Sequence, residues 1–223
     1  MTRHFCKIVA MFGLMASLAA TPGLAAEWGL DLGTAGIRTA TEAGTQLLGS
    51  ANHGGSVVRV HREMVKDIMV GVEYWHAATN GTWVQGLDTD TRTDAGLVDL
   101  RYRYAWADWL APFARCGLGV AKTTLEVSDY HSAYSAEQVA PLALASVGAE
   151  LLIPRRVFAR GIARADGFTL GLTWEVGYQH LFQRAWSAER QGGAPNGMSA
   201  RPLELGDAAI SGWLSRLAFV VRL

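Results

Sequence analysis

The sequence predicts an all-β fold, an eight-stranded antiparallel up-and-down transmembrane β-barrel, and three observations carry that prediction. Eight stretches of about ten residues alternate apolar with polar side chains, the period of a strand with two unlike faces. The connections between them alternate long and short, as in membrane barrels. Half of the 223 residues are hydrophobic, 50%. Yet beyond residue 26 no stretch approaches the roughly 20 apolar residues that a spanning helix needs.

Residues 1–26 read as a secretory signal. Arg3 and Lys7 precede an apolar run that begins at Ile8, and Thr21-Pro22-Gly23 and small residues follow it, with cleavage expected after Ala25 or Ala26. The barrel domain is then 27–223. It keeps one cysteine, Cys116, which excludes an internal disulfide and speaks against a cysteine metal site. Without Arg3 and Lys7 the 20 basic residues fall to 18 against 20 acidic ones, so no charge surplus points to nucleic acid.

The strands follow in order. In 27–33, Trp28, Leu30 and Leu32 oppose Glu27 and Asp31; in 56–65, Val58 and Val60 oppose Arg59, His61 and Glu63. In 68–75, Ile68, Val70, Val72 and Tyr74 share one face, with Met69, Gly71, Glu73 and Trp75 on the other. Residues 97–106 sort most clearly, with Val98, Leu100, Tyr102, Tyr104 and Trp106 opposite Asp99, Arg101 and Arg103. In 110–120, Cys116, Leu118 and Val120 oppose Arg115 and two glycines. In 142–153 the polar side carries Ser146 and Glu150, and in 168–180 it carries Thr173, Glu175 and Gln179. The last strand, 210–223, sets Trp213, Leu217, Phe219, Val221 and Leu223 against Gly212 and Arg216. Long polar loops are expected at 38–55, 77–94, 121–140 and 181–209, and tight turns at Lys66-Asp67 and Ala107-Asp108. The segment 154–167 is too long for a turn; it suits a small helix, longer flanking strands or a ninth strand.

Alternation alone does not say whether the apolar face points inward, as in a soluble calyx, or outward to lipid. The polar face carries Asp31, Glu63, Glu73, Asp99, Glu150 and Glu175 against Arg59, Arg101, Arg103, Arg115, Arg216 and Arg222, with His61 added. So even a balance suits a narrow lumen in which opposite charges pair. The apolar face carries aromatics near both ends of the strands, the interfacial girdles of a membrane barrel. Arg62 lies on the apolar face near a turn, where its side chain can snorkel.

Trp213, Leu217, Phe219, Val221 and Leu223, spaced by twos toward the end, resemble the C-terminal assembly signal of outer-membrane barrels; the usual last residue is Phe, and here it is Leu223. Pro112-Phe113-Ala114-Arg115-Cys116-Gly117-Leu118-Gly119-Val120 is similar to a Pro-aromatic-Gly-x-Gly strand common in that broad group. The chain after residue 26 thus resembles the small eight-stranded outer-membrane proteins of the OmpA transmembrane-domain and OmpX type. The resemblance implies an integral protein of the Gram-negative outer membrane, in contact with its lipid and with the barrel assembly machinery. It transfers no active site.

Candidate chemistry is sparse. Outer-membrane deacylases would show a His-x-Ser pair on a late strand, whereas His180 precedes Leu181-Phe182 and His131 precedes Ser132 directly. His61, His76 and His131 lack a His-x-His spacing, so no metal or other cofactor is expected. Trp83, Trp186 and the run Tyr130-His131-Ser132-Ala133-Tyr134 fall in expected loops, where aromatics either recognise an external ligand or cover the barrel mouth. The expectation is a structural or surface-interaction barrel without an enzymatic site. Its alternatives are a small channel or apolar-ligand path of the OmpW kind, which the polar face disfavours, and a lipid-modifying enzyme.

Overall fold

The alternating segments form strands that pair into a closed ring in the computed structural model, which describes residues 27–40, 45, 52–82, 88–128, 133–153, 169–183, 185–191, 202–206 and 210–223. In chain order these are β1 (Trp28–Thr39), β2 (Asn52–Val65), β3 (Ile68–Thr82), β4 (Asp88–Arg103), β5 (Leu110–Ser128), β6 (Ala133–Leu152), β7 (Thr169–Leu181), β8 (Trp186–Gln191), β9 (Leu203–Gly206) and β10 (Gly212–Arg222). Each of β1 to β7 pairs antiparallel with its neighbour, and β10 closes the barrel between β7 and β1. The barrel therefore has eight strands. β8 and β9 form a further hairpin, and β8 adds to the end of β6.

Paired residues traced once around the ring run Gly29, His61, Gly71, Asp99, Gly117, Leu144, Gln179, Gly212 and return to β1 at Thr39, ten residues beyond the start. Such a stagger on eight strands tilts them by about 40° and leaves an interior that side chains fill. The apolar face points outward: Leu118 and Phe219 are 71% and 69% exposed, and Val98, Leu100, Val120, Val147 and Leu217 join them in a continuous belt. Only lipid makes such a surface favourable. Trp28, Tyr102, Tyr104 and Trp106 edge the belt at the turn end, and Tyr74, Tyr178 and Trp213 edge it toward the loop end, so the soluble calyx is excluded.

The β2–β3 turn is two residues long, and Asp67 takes φ of 67°, a left-handed conformation that Asp tolerates better than most residues. Glu63 closes this turn by accepting the Asp67 N–H at 3.0 Å.

Three loop expectations are corrected. Most of 121–140 is strand, since β5 runs to Ser128 and β6 begins at Ala133; most of 77–94 is strand as well. The reason is an inversion of amphipathic phase. Inside the belt Cys116, Leu118 and Val120 face outward; beyond it the outward positions are Lys122, Thr124, Glu126 and Ser128, while Leu125 and Val127 turn inward. Once lipid gives way to water, the outward face must be polar. The segment 181–209 is corrected too, because it contains β8 and β9. The expected signal at 1–26 and the segment 154–167 lie outside the described residues.

Candidate functional site: the charged lumen and the projecting wall

The half of the lumen nearer the turns is ionic. Asp31, Glu73, Asp99, Glu150 and Glu175 are buried together with Arg59, Arg101, Arg115, Arg216 and Arg222, five charges of each sign among the described residues. They form one alternating chain. Arg222 and Arg101 both donate to Glu150; Arg101 reaches Asp31 at 3.3 Å, and Arg59 reaches Asp31 at 3.1 Å. Arg59 also grips both oxygens of Asp99, the shortest approach being 2.5 Å. Arg115 then joins Asp99 (2.9 Å), Glu73 (2.6 Å) and Glu175 (3.1 Å), and Arg216 closes a ring by meeting the same two glutamates at 2.5 and 3.1 Å. Ser146 donates its hydroxyl to Glu175 at 2.5 Å. Every barrel strand contributes: β1 through Asp31, β2 through Arg59, β3 through Glu73, β4 through Asp99 and Arg101, β5 through Arg115, β6 through Glu150, β7 through Glu175 and β10 through Arg216 and Arg222.

The half nearer the loops is apolar. Ile37, Val57, Trp75, Leu97, Leu142, Leu144, Leu181 and Leu214 fill it, with alanines between them. Charge pairs, expected to fill the lumen, thus occupy only one half of it. Above this layer lies a band of hydroxyls around His53, whose ring nitrogens bond Thr79 (2.6 Å) and Thr93 (3.1 Å) while its edge meets the Trp75 ring. The lumen is thus filled by ion pairs in one half and by packed hydrocarbon in the other.

Strands β3 to β6 continue past the last residues of β1, β7 and β10 as a projecting wall. Its outward side carries Asp88, Asp90, Asp94, Glu126 and Glu137 against Arg92 and Lys122. Asp90 pairs with Arg92 at 2.7 Å and Glu137 with Lys122 at 2.6 Å, which leaves an acidic excess. The hydrogen bond and charge of Asp90 raise the Arg92 pKa above its ordinary value. On the inward side of the wall, Leu125, Val127, Ala136 and Tyr134 are covered by Trp186 and Ala188 of the hairpin.

Of the expected lumen residues, Asp31, Arg59, Glu73, Asp99, Arg101, Arg115, Glu150, Glu175 and Arg216 are brought together. Glu63 stands apart and serves its turn, while Arg103 reaches the chain only at its rim, through Glu27, which lies 3.8 Å from both Arg103 and Arg222. Arg222, which pattern reading set on the same face, belongs to the chain. Arg62 lies over the Trp28 ring, 5.3 Å from its centroid. Trp213, Leu217, Phe219 and Leu223 project into the belt, and Val221 is half-buried beside them. Trp83, Tyr130 and His131 lie outside the described residues, whereas Trp186 is buried. His180 packs its edge against Phe182. The covering hairpin and the apolar half of the lumen escaped sequence reasoning; the alternation of Lys122, Thr124 and Glu126 against Leu125 and Val127 is the signal that would have revealed the wall.

The sequence matches no protein-family model and no curated protein sequence. Solved structures do match. The attachment invasion locus protein Ail of Yersinia pestis is 12% identical with a TM-score of 0.53, covering 90% of this chain and 100% of that one. Its complex with the heparin analogue sucrose octasulfate matches at 11% and 0.50, with the same coverage. A major outer membrane protein from Thermus thermophilus matches at 13% and 0.54, again covering 90% and 100%. At these identities the likeness is one of fold: this chain is an integral membrane barrel of the outer-membrane kind.

Proposed function

We propose that the chain acts at the cell surface as a sealed, non-catalytic barrel whose projecting wall meets an external partner bearing basic groups. One observation carries the reading: strands β3 to β6 extend past the lipid belt and turn outward a face on which acids outnumber bases. A lumen filled along both halves supports presentation rather than transport. The Yersinia protein was solved with a sulfated ligand. A sulfated chain would meet repulsion on this acidic wall, so the chemistry supported here is of the opposite sign.

The test uses lipid vesicles carrying the barrel, offered to immobilised polyarginine, heparin and a neutral glycan. Binding to polyarginine that weakens with salt and falls about tenfold in the variant Asp88→Asn, Glu126→Gln, Glu137→Gln is expected. Equal binding to heparin, or binding indifferent to those substitutions, overturns the reading.

A further inference from the structure

The outward face of the barrel changes from apolar to polar along a single register row. Thr34 of β1 pairs with Ser56 of β2, Ser56 with His76 of β3, His76 with Asp94 of β4, and Asp94 with Lys122 of β5. All five side chains point outward. They form a polar edge, in which His76 Nδ1 lies 3.0 Å from Asp94 Oδ1 and the Tyr74 hydroxyl donates to the same oxygen. The outward row on the turn side of this edge is Leu32, Val58, Tyr74, Gly96 and Val120.

A row runs perpendicular to the strands, and the strands tilt, so each step to the next strand climbs about 3 Å toward the loops. The polar edge therefore rises from β1 to β5 instead of circling the barrel at one height. The apolar belt beneath it is a wedge. On β1 the belt runs only from Trp28 to Leu32, about 10 Å of height, and on β6 from Val139 to Leu151, about 30 Å, whereas an even belt stands about 25 Å tall. Tilting the barrel moves both edges of the belt together at every strand, so it cannot make a wedge even. A hydrophobic surface too short for the bilayer is met by thinning of the bilayer. Headgroups have room on the short side, because the next outward row is Ser215, Gly36 and Gly54, and a Cβ built on Gly36 would meet nothing within 4 Å.

We propose that the barrel draws the outer leaflet down beside β1 and β2, so that lipid headgroups descend to the hydroxyls of Thr34 and Ser56. The partner is the bilayer itself, held thin on this side and at ordinary thickness beside β6. This surface is separate from the acidic wall, and the proposal does not depend on the reading given for that wall.

The experiment places a nitroxide spin label at Ser56→Cys, Ala143→Cys or Ala145→Cys, each alone and with Cys6→Ala and Cys116→Ala, in vesicles of palmitoyl-oleoyl phosphatidylcholine. The four steps from β2 to β6 climb about 12 Å, or about five residues of tilted strand, so Leu144 stands level with Ser56 although Val139 shares its row. Ala143 and Ala145, the outward residues on either side of Leu144, bracket that height. Collisions are measured with a nickel chelate, which stays among water and headgroups, and with oxygen, which concentrates in hydrocarbon. The chelate-to-oxygen ratio at Ser56 is expected to exceed that at both alanine positions several-fold. A ratio at Ser56 no higher than that at Ala143 means a bilayer of even thickness and overturns the proposal. Rare collisions with both reagents at Ser56 overturn it too, since protein, such as a second copy of the chain, then covers the face. Thr34→Leu with Gly36→Leu lengthens the apolar run of β1, and the ratio at Ser56 is expected to fall several-fold; an unchanged ratio overturns the short belt as the cause. The three singly labelled proteins keep the proposal falsifiable if that variant fails to insert.

Discussion

Arg59 occupies the space that the missing side chain of Gly71 leaves open: a Cβ built on Gly71 would lie 2.8 Å from the Arg59 Nε and 3.0 Å from Asp99 Oδ2. The guanidinium cannot withdraw without losing Asp31 or Asp99. Gly71→Ala is therefore expected to cost about 1–3 kcal/mol, the range of core overpacking. Urea unfolding from lipid vesicles measures it, and an unchanged midpoint contradicts the assigned packing.

The charge chain separates strong from weak substitutions. Arg101→Ala, Glu73→Ala and Asp99→Ala each leave the buried set one charge out of balance, which costs about 3–5 kcal/mol. Glu63 lies outside the chain and Arg103 touches it only through the partly exposed Glu27 at the rim, so Glu63→Ala and Arg103→Ala are each expected to cost less than about 1 kcal/mol. Comparing the five variants in one unfolding series distinguishes a connected network from a general effect of lumen charge.

The positive φ of Asp67 makes the β2–β3 turn selective. Asp67→Gly is expected within about 1 kcal/mol of the parent, while Asp67→Val, which must hold a β-branched side chain in a left-handed conformation, loses about 1–3 kcal/mol. A Val variant as stable as the Gly variant contradicts that conformation.

Two filled halves in series predict that one can be breached without conduction. Trp75→Ala with Leu144→Ala thins the apolar layer and leaves the ion pairs in place, so planar-bilayer recordings should remain at baseline. Steps from that double variant would mean that the ionic half does not obstruct the lumen.

Deleting residues 219–223 removes from β10 the partners of Gly29, Leu30, Asp31 and Leu32 on one side and of Thr169 to Leu172 on the other, together with the Arg222 link to Glu150. No heat-modifiable band is expected in membrane fractions. A band that still shifts on boiling would show that the seam closes without these residues.

Alternation made the barrel legible in the sequence, because lipid demands an apolar outward face and the narrow lumen demands balanced charge on the other. Nine lumen residues follow from that single rule. It fails where its physical cause ends. Beyond the belt the outward face of β5 becomes Lys122, Thr124 and Glu126, so a reading tuned to apolar-outward strands passes over it. It fails again in Pro141-Leu142-Ala143-Leu144-Ala145, where both faces meet hydrocarbon and alternation carries no information. The burial of Trp186 depends on the course of the chain between β7 and β10, which no local pattern specifies.

The charge chain also sets a condition on assembly. Every strand but β4, which brings both Asp99 and Arg101, adds a net charge, so a ring lacking any one of the other seven retains an uncompensated charge in its interior. Such a ring is penalised electrostatically, and the missing strand removes the penalty. The balance of the buried charges thus favours the complete ring over one that has lost a charged strand.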